Sequence, residues 1–340
     1  MEFLPVSPEA LNKAADVLRS GGIVAFPTET VYGLGADAYN PSALVKIFEA
    51  KGRPRFDPLI IHIAAVQTLE EVADFSLLSE ETRRKLFLLS EQLWPGPLSI
   101  VLPKNARIPG IATAALSTAA IRFPAHEAAR TLISLSGGAV AAPSANPFGA
   151  LSPTRAEHVR DALGKKVDII LDGGPAQIGV ESTVLDITGN CIRILRHGGA
   201  PKEAVENIIG AVQDASLANE DTAGGFVSPG QLKSHYAPRT PLSVFKREEI
   251  IRLPCETSAA YIFFDDSSCH TWLMEKGGQT RKEKIKVLSP SGLLSEAAAC
   301  LFDTLHELDN RQFSHIFAQL VPQEGIGAAI NDRLERAGNL

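Results

Sequence analysis

The sequence predicts an α/β protein of two domains: a larger domain with a twisted, mixed sheet, followed by a small Rossmann-like α/β domain. Three observations lead to this prediction. The chain has 340 residues, more than one ordinary core accommodates. Short segments rich in β-branched residues alternate with helical segments in both halves. Between the halves, residues 211–228 contain few large apolar side chains and are typical of a linker. We therefore predict domains at 1–210 and 239–340, with a linker or lid at 211–238.

In the larger domain the helix starts are the clearest signals. Ser7 is a suitable N-cap and Pro8 fits a first turn, while Gly22 lies where that helix should end. Asn40 and Pro41 predict a second helix start in the same way. Further helices are predicted near 79–90, 126–136 and 154–163. Short apolar, β-branched runs predict strands at 23–26, 59–63, 98–102, 119–123, 139–142, 168–171, 183–187 and 191–195.

The smaller domain shows a regular alternation of strand and helix patterns. Strands are predicted at 242–245, 260–264, 285–288 and 314–319, and helices at 291–308 and 323–337. This alternation is typical of a small sheet covered by helices, which is the basis of the Rossmann-like prediction.

Composition excludes several classes of function. The net charge of −6 argues against charge-driven binding of nucleic acid over the whole surface, although a local basic cleft stays possible. The four cysteines form no CxxC pair, so neither a disulfide framework nor a zinc site is predicted. No signal peptide or membrane-spanning run is found, and we expect a cytoplasmic protein without membrane contact. The GxxxxGK[ST], HExxH and GxSxG motifs are absent.

A cationic loop is the first candidate for ligand binding. Residues 51–55 place three cations, Lys51, Arg53 and Arg55, directly after a predicted helix. Cations often complement the dipole at a helix C-terminus, which is the simpler interpretation. However, Gly and Pro stiffen this loop, and a rigid cationic loop suits a phosphate or carboxylate better than solvent. Residues 142–146 and 152–154 also offer small hydroxyl and amide donors, although ordinary turn chemistry explains such residues equally well.

A second group of candidates lies on predicted strands and at their ends. Arg122 ends an otherwise apolar strand, so it requires either a structural ion pair or a ligand anion. His62 also lies in an apolar strand, where a hydrogen-bonded core histidine is the more common case. Residues 27–35 place hydroxyls, a carboxylate and a phenol after a strand, the position at which α/β folds bind ligands. Within them, residues 33–38 fit a loose dinucleotide fingerprint, which would indicate an NAD-dependent enzyme. However, the preceding strand does not lead directly into the glycines, as that fingerprint requires, so we expect a glycine-rich loop there instead.

Several of these segments, taken together, resemble one family. The residues that carry the resemblance are 26–35, 51–54, 58–62, 94–97, 121–124, 142–146, 179–184 and 195–198. Their order and length resemble the YrdC-type domain. The segments 228–230 and 235–238, followed by a small α/β domain, resemble the two-domain threonylcarbamoyl-AMP synthases. The resemblance covers essentially the whole chain.

The resemblance implies a reaction and its partners. Members of the family form L-threonylcarbamoyl-AMP and pyrophosphate from L-threonine, bicarbonate and ATP, with Mg²⁺ expected beside ATP. The product passes to the transferase machinery that modifies the tRNA adenosine next to the anticodon, and a direct contact with tRNA is left open. No single catalytic residue is implied, because the N-carboxy anion of threonine is itself the nucleophile.

The resemblance also implies which residues bind the substrates. Threonine would be bound by Thr30, His62, Arg122, the Ala142 backbone and Ser182. ATP would be bound by Lys51, Arg53, Asp57, Thr118, Ser144, Ser152, Arg196 and, from the lid, Tyr236, and Asn146 would complete the polar wall of the pocket. Asp57 departs from the family, which usually has Asn there, and a carboxylate near a triphosphate requires neutralisation by Mg²⁺ or an arginine. The alternative function is an RNA-binding module that uses a basic concave face.

Overall fold

A computed structural model describes residues 1–189, 191–215, 236–276, 284–310 and 313–338. These residues form two compact units. The first contains residues 1–148, 153–177 and the described part of 181–231, and the second contains 149–152, 178–180 and the described part of 232–340. Most of the predicted linker and lid lies outside the described residues, so its role stays a prediction.

The described strands of the first unit form one sheet. Their bounds are Glu2–Pro5 (β1), Val24–Phe26 (β2), Gly33–Asp37 (β3), Ile60–Ile63 (β4), Leu98–Pro103 (β5), Thr118–Arg122 (β6), Ala139–Ala141 (β7), Ile169–Asp172 (β8), Thr183–Asp186 (β9), Arg193–Arg196 (β10) and Gln213–Asp214 (β11). The order across the sheet is β1-β8-β2-β3-β7-β4-β6-β5-β9-β10-β11. Parallel pairs such as β4–β6 and β5–β9 alternate with antiparallel pairs such as β5–β6. The predicted mixed sheet is confirmed.

Two helices of the first unit, those that start at Pro8 and Pro41, begin where their capping residues predict. The bounds of the helices described in this unit are Pro8–Arg19 (α1), Pro41–Lys51 (α2), Leu69–Val72 (α3), Glu80–Leu93 (α4), Glu127–Leu135 (α5), Ala156–Leu163 (α6) and Lys202–Ile209 (α7). The Ser7 side chain accepts a hydrogen bond from the Ala10 amide, and Asn40 accepts from the amides of Ser42 and Ala43. Such caps satisfy amides that have no partner within the helix.

Helices cover the two faces of this sheet unequally. Side chains of α2, α4, α6 and α7 pack on the face that carries Ile61 and Ile121. Helices α1 and α5 pack on the opposite face, over Val24 and Val140. This opposite face, called the second face below, also carries a separate and smaller apolar cluster on strands β4, β5, β6 and β9. The cluster consists of Ile60, Val101, Ala120 and Val184. The candidate site, described below, is built on this part of the sheet.

The predicted glycine-rich loop at 33–38 is wrong, because residues 33–37 form β3. This strand pairs antiparallel with β2 and with β7. A Cβ on Gly35 would lie 2.7 Å from Val140 Cγ1 and 2.8 Å from Phe26 Cε1. The glycine therefore permits close packing of neighbouring strands, and the pattern does not mark a dinucleotide-binding turn.

The second unit contains a four-stranded parallel sheet. Its strands are Leu242–Phe245 (β12), Ala259–Phe263 (β13), Ile285–Val287 (β14) and His315–Gln319 (β15), in the order β12-β15-β13-β14. Its described helices are Asp266–Glu275 (α8), Leu294–Asp309 (α9) and Gly327–Gly338 (α10). Tyr261 and Trp272 pack in its core with ring centroids 4.4 Å apart. The predicted small α/β unit is confirmed. Of all the helices described in either unit, none combines the length and apolarity needed to cross a bilayer.

Candidate functional site

A row of polar side chains crosses adjacent strands on the second face of the large sheet. His62 of β4 is in register with Arg122 of β6, and Arg122 is in register with Ser99 of β5. Residues in register on neighbouring strands point to the same face and lie about 5 Å apart. All three residues are buried. The sheet thus aligns an imidazole, a guanidinium and a hydroxyl.

Arg122 forms a buried ion pair with Glu29, a residue of the β2–β3 loop. The distance from Arg122 Nη2 to Glu29 Oε1 is 2.5 Å, and both side chains are 5% exposed. Arg122 Nε also donates to the carbonyl of Gly96 at 3.3 Å. The structural ion pair that the sequence left open is therefore present. Since a guanidinium has five N–H donors, this pairing still permits Arg122 to bind a ligand carboxylate.

His62 is held as a neutral acceptor. Burial, reinforced by the Arg122 guanidinium, lowers the pKa of His62 from 6.5 to about 3. Its Nδ1 lies 3.1 Å from the carbonyl oxygen of Ile60, and a carbonyl only accepts, so we assign the proton to Nδ1. Nε2 of the neutral ring is then an acceptor, suited to a hydroxyl donor.

The lowered pKa of His62 predicts a loss of stability in mild acid. The unfolded chain binds a proton at His62 below about pH 6.5, whereas the folded chain does not until about pH 3, so stability falls as the pH falls through this window. Between pH 7.5 and 5.5 the loss of unfolding free energy due to His62 is on the order of 1 kcal/mol. Urea unfolding at both pH values should show that His62→Gln loses less stability than the wild type, by about this amount. Equal losses in the two proteins would contradict the buried, neutral imidazole.

Ser182 extends the polar row toward β9 and β10. Its Oγ lies 2.8 Å from Ser99 Oγ. Arg196 of β10 donates through Nη2 to the carbonyl of Ser182 at 2.9 Å and to its Oγ at 3.2 Å. These contacts connect the row at Arg122 with a second arginine.

The segment after Arg196 requires glycine at position 198. A Cβ on Gly198 would lie 2.3 Å from both the carbonyl carbon of Ser182 and the amide nitrogen of Thr183. Gly198→Ala should therefore displace Ser182 and lower the free energy of unfolding by about 2–3 kcal/mol in urea titrations. Gly189→Ala, between β9 and β10, is the matched control, because among the described residues its Cβ would meet nothing closer than the Cys191 carbonyl oxygen at 3.7 Å. A similar loss for both variants would contradict the role given to Gly198.

Lys51 ties the end of α2 to the segment 143–146. Its Nζ donates to the carbonyl of Ser144 at 2.6 Å and to that of Asn146, and the residue is 3% exposed. Burial, and to a lesser degree the neighbouring Arg53, lower the pKa of Lys51, whereas Asp57 opposes this. Lys51 is thus a buried donor within the site, which does not fit a solvated cation that only complements the helix dipole.

Asp57 is neutralised by an arginine. Arg53 Nη2 lies 2.8 Å from Asp57 Oδ1, and both side chains are 4% exposed. Arg53 also donates to the carbonyls of Asp57 at 3.1 Å and Pro58 at 2.8 Å. Burial raises the pKa of Asp57, while Arg53, Lys51 and Arg196 act in the opposite direction. The carboxylate that departs from the family pattern therefore lies in a cluster of three cations.

The other predicted residues of the first unit lie on the loops and strands that carry these two groups. Thr30 Oγ1 lies 2.9 Å from Thr28 Oγ1 in the loop that presents Glu29. The Ala142 amide donates to the Ile60 carbonyl at 2.9 Å, the same oxygen that His62 Nδ1 contacts. Ser144, just beyond β7, forms an isolated antiparallel bridge with Gly33 at the start of β3. Thr118 starts β6, four residues before Arg122, and alternation places both on one face.

Two of the residues predicted to bind ATP belong to the second unit. Ser152 lies in its segment 149–152 and is fully buried. It does not cap α6, whose N-cap position is occupied by Arg155. Tyr236 packs on Phe302 with ring centroids 5.8 Å apart, and the Arg333 guanidinium lies 5.0 Å from its ring centroid. Their roles in ATP binding stay predictions.

Two residues of the site were not singled out from the sequence. Glu29 lies inside the motif 27–35 but was not paired with Arg122, since the two are 93 residues apart. Ser99 is the hydroxyl in an otherwise apolar strand, and that isolation is the signal that could have identified it.

Comparison with known proteins connects this geometry to a family. The family model described as Telomere recombination matches residues 16–198, more than half of the 340 residues. The model described as Threonylcarbamoyl-AMP synthase, C-terminal domain, matches residues 200–339. The chain belongs to the threonylcarbamoyl-AMP synthase family. All three residues of the row His62–Arg122–Ser99 and the cluster Lys51–Arg53–Asp57 lie within the first match.

Relatives of the threonylcarbamoyl-AMP synthase family resemble the chain over nearly its full length. The Threonylcarbamoyl-AMP synthase of Pyrococcus abyssi is 40% identical over 95% of this chain and 92% of its own. The one from Bacillus subtilis is 39% identical over 98% of this chain and 94% of its own. The crystal structure of P. abyssi Sua5 complexed with L-threonine superposes with a TM-score of 0.86 at 37% identity, covering 99% of this chain and 96% of that one. The two-domain form is thus shared.

Proposed function

We propose that this chain joins L-threonine, bicarbonate and ATP into L-threonylcarbamoyladenylate and releases pyrophosphate. The observation that carries the proposal is the row in which buried Arg122 lies beside neutral His62, next to a cluster of Lys51, Arg53 and Arg196. An amino acid and a nucleotide require these two kinds of surface. The threonine in the related crystal structure and the names of the relatives support the same reaction.

The row on the second face provides complementary groups for threonine. Arg122 binds the α-carboxylate through donors beyond those used by Glu29 and Gly96. His62 Nε2 accepts a hydrogen bond from the β-hydroxyl. Serine also has a β-hydroxyl, so selectivity for threonine depends on packing against the threonine methyl group. Thr30, Ser182 and the carbonyl of Ala142, whose amide is already bonded to Ile60, complete the subsite.

The cation cluster provides the ATP subsite. Lys51, Arg53 and Arg196 contact the phosphates, and Ser144, Asn146 and Thr118 supply polar contacts around them. Among the described residues no group of three or more His, Cys, Asp or Glu side chains could hold a metal ion. Because Asp57 is already paired with Arg53, the residues fit Mg²⁺ carried by the ATP phosphates.

The chemistry matches a site without a nucleophile–base pair. The amine of threonine reacts with bicarbonate to form a C–N bond with loss of water, which leaves an N-carboxy anion. A carbamate oxygen then attacks the α-phosphorus of ATP, and the bond to pyrophosphate breaks. Lys51, Arg53 and Arg196 hold the phosphates in place and stabilise the charge that develops on phosphoryl oxygens, so positioning and electrostatics supply the rate enhancement.

We further propose that the enzyme acts in the cytoplasm. Its product would pass there to the transferase that modifies tRNA.

Pyrophosphate release tests the proposed reaction. The purified full chain should release pyrophosphate only when L-threonine, bicarbonate and Mg-ATP are all present, and omission of any one should stop it. Equal release with serine, or with no amino acid, would show that the threonine subsite is assigned wrongly.

The RNA-binding alternative is less consistent with the burial of the cations. Lys51, Arg53, Arg122 and Arg196 are each at most 8% exposed. An RNA backbone is bound by exposed Lys and Arg side chains, with steep salt dependence. Buried, ion-paired arginines suit a small enclosed ligand better.

A further inference from the structure

The β2–β3 loop presents Glu29 in a fixed position. Thr28 Oγ1 donates to the Val31 carbonyl at 2.6 Å, and it accepts from the amides of Thr30 at 3.2 Å and Val31 at 3.3 Å. The Tyr32 amide donates to the Pro153 carbonyl at 2.8 Å and anchors the end of the loop. Glu29 follows Thr28 directly and is 4% exposed. A loop organised in this way holds a carboxylate in place instead of leaving it in solvent.

The two oxygens of Glu29 have unequal partners. Oε1 accepts from Arg122, whereas Oε2 is buried and has no hydrogen-bond partner among the described residues. A carboxylate oxygen removed from water without a donor is costly, so native structures rarely retain one without a reason. The Oε2 atom is therefore a position where a ligand donor is expected.

The charges of an amino acid specify that donor. In a zwitterion the α-ammonium is separated from the carboxylate by one carbon, so an amino acid bound to Arg122 through its carboxylate brings its ammonium close to this guanidinium. The neighbouring groups His62, Thr30, Ser99 and Ser182 are neutral at physiological pH. Glu29 is the acidic side chain that touches Arg122. An ammonium held there gains a charge-assisted hydrogen bond and restores charge balance.

We propose that Glu29 is a specificity-determining residue whose Oε2 accepts a hydrogen bond from the α-ammonium of the amino-acid substrate. The inference rests on the proposed function, because it assumes an amino acid bound to Arg122. It adds a discrimination that Arg122 and His62 do not provide: an α-amino acid is distinguished from a hydroxy acid that carries the same carboxylate and β-hydroxyl. The reaction requires that an amino acid be distinguished from a hydroxy acid, since the amine nitrogen is the atom that receives the carboxy group.

A pair of ligands isolates the contact. L-threonine and (R)-3-hydroxybutanoate share the carboxylate and the β-hydroxyl but differ in the α-amine. NMR titration of the full chain should show that Glu29→Gln weakens threonine binding about 10- to 100-fold, as expected for a lost hydrogen bond between charged groups. The same substitution should change the Kd of (R)-3-hydroxybutanoate by less than about twofold, since that ligand never used Glu29.

Control variants separate this role from folding. Glu127→Gln makes the same change at an exposed position of α5 and should leave both Kd values unaltered. If Glu29→Gln does not fold, Glu29→Asp keeps the charge on a shorter side chain and should bind threonine more weakly while still preferring it to the hydroxy acid.

The outcomes separate this inference from the proposed function. If the wild type binds threonine and Glu29→Gln binds it equally well, the inference is overturned while the function stands. Weakening of both ligands to the same extent would mean that Glu29 acts only through Arg122, which also overturns it. If the wild type binds no threonine, the proposed function fails, and this inference fails with it.

Discussion

Replacing Arg122 by lysine is expected to lower kcat/KM for L-threonine about 100-fold, with little change in the KM for ATP. Lysine keeps the charge but lacks the planar fork of five N–H donors with which Arg122 contacts Glu29 and the Gly96 carbonyl and can still bind a substrate carboxylate bidentately. Initial rates of pyrophosphate release at varied threonine and at varied ATP separate the two effects.

Arg107→Lys is the matched control for Arg122→Lys. Arg107 forms an ion pair with Glu71 at 2.8 Å, but its side chain is 56% exposed and lies outside the site. Exposed pairs contribute little to stability, so this variant should behave like the wild type. If Arg122→Lys kept normal kcat/KM for threonine, Arg122 would have only its structural role with Glu29.

Replacing Lys51 by methionine is expected to lower turnover at least about 100-fold and the free energy of unfolding by about 2–4 kcal/mol. Two buried carbonyls, of Ser144 and Asn146, lose their donor, and the ATP subsite loses a cation and the anchor of the segment 143–146. Pyrophosphate release and urea unfolding measure the two effects on the same preparation.

Lys46→Met provides the comparison for Lys51→Met on the same helix. Lys46 Nζ also donates to a backbone carbonyl, that of Gly21 at 2.7 Å, but it lies on the exposed side of α2. Its replacement should cost less than about 1 kcal/mol and leave turnover unchanged. Comparable effects of the two substitutions would remove Lys51 from the site.

Local signals made much of the fold predictable. Ser7, Asn40 and Pro41 predicted two helix starts correctly, because a cap acts on amides within three residues. The strand Gly33–Asp37 was missed because its two glycines favour a loop locally, while the need for them arises from Phe26 and Val140 on neighbouring strands. Helix α8 was missed because few of its residues are buried, chiefly Cys269 and Trp272.

The candidate site was predictable as a set of residues but not as an arrangement. The family motifs pointed to His62, Arg122 and Lys51 without showing that β4 lies directly beside β6, although β5 is between them in the chain. Strand order is a long-range property that no local pattern encodes. For the same reason the Glu29–Arg122 pair and the Arg53 neutralisation of Asp57 emerged only from the structure.

Mass spectrometry of the product formed from ¹³C-bicarbonate tests the central claim most directly. The claim is that one site joins threonine, bicarbonate and AMP, with the row at Arg122 next to the cation cluster. We predict an adenylate that contains threonine and is absent when threonine is omitted. With labelled bicarbonate its mass should be about one mass unit higher than with unlabelled bicarbonate. An unlabelled threonyl adenylate, or an adenylate without threonine, would contradict the proposed reaction.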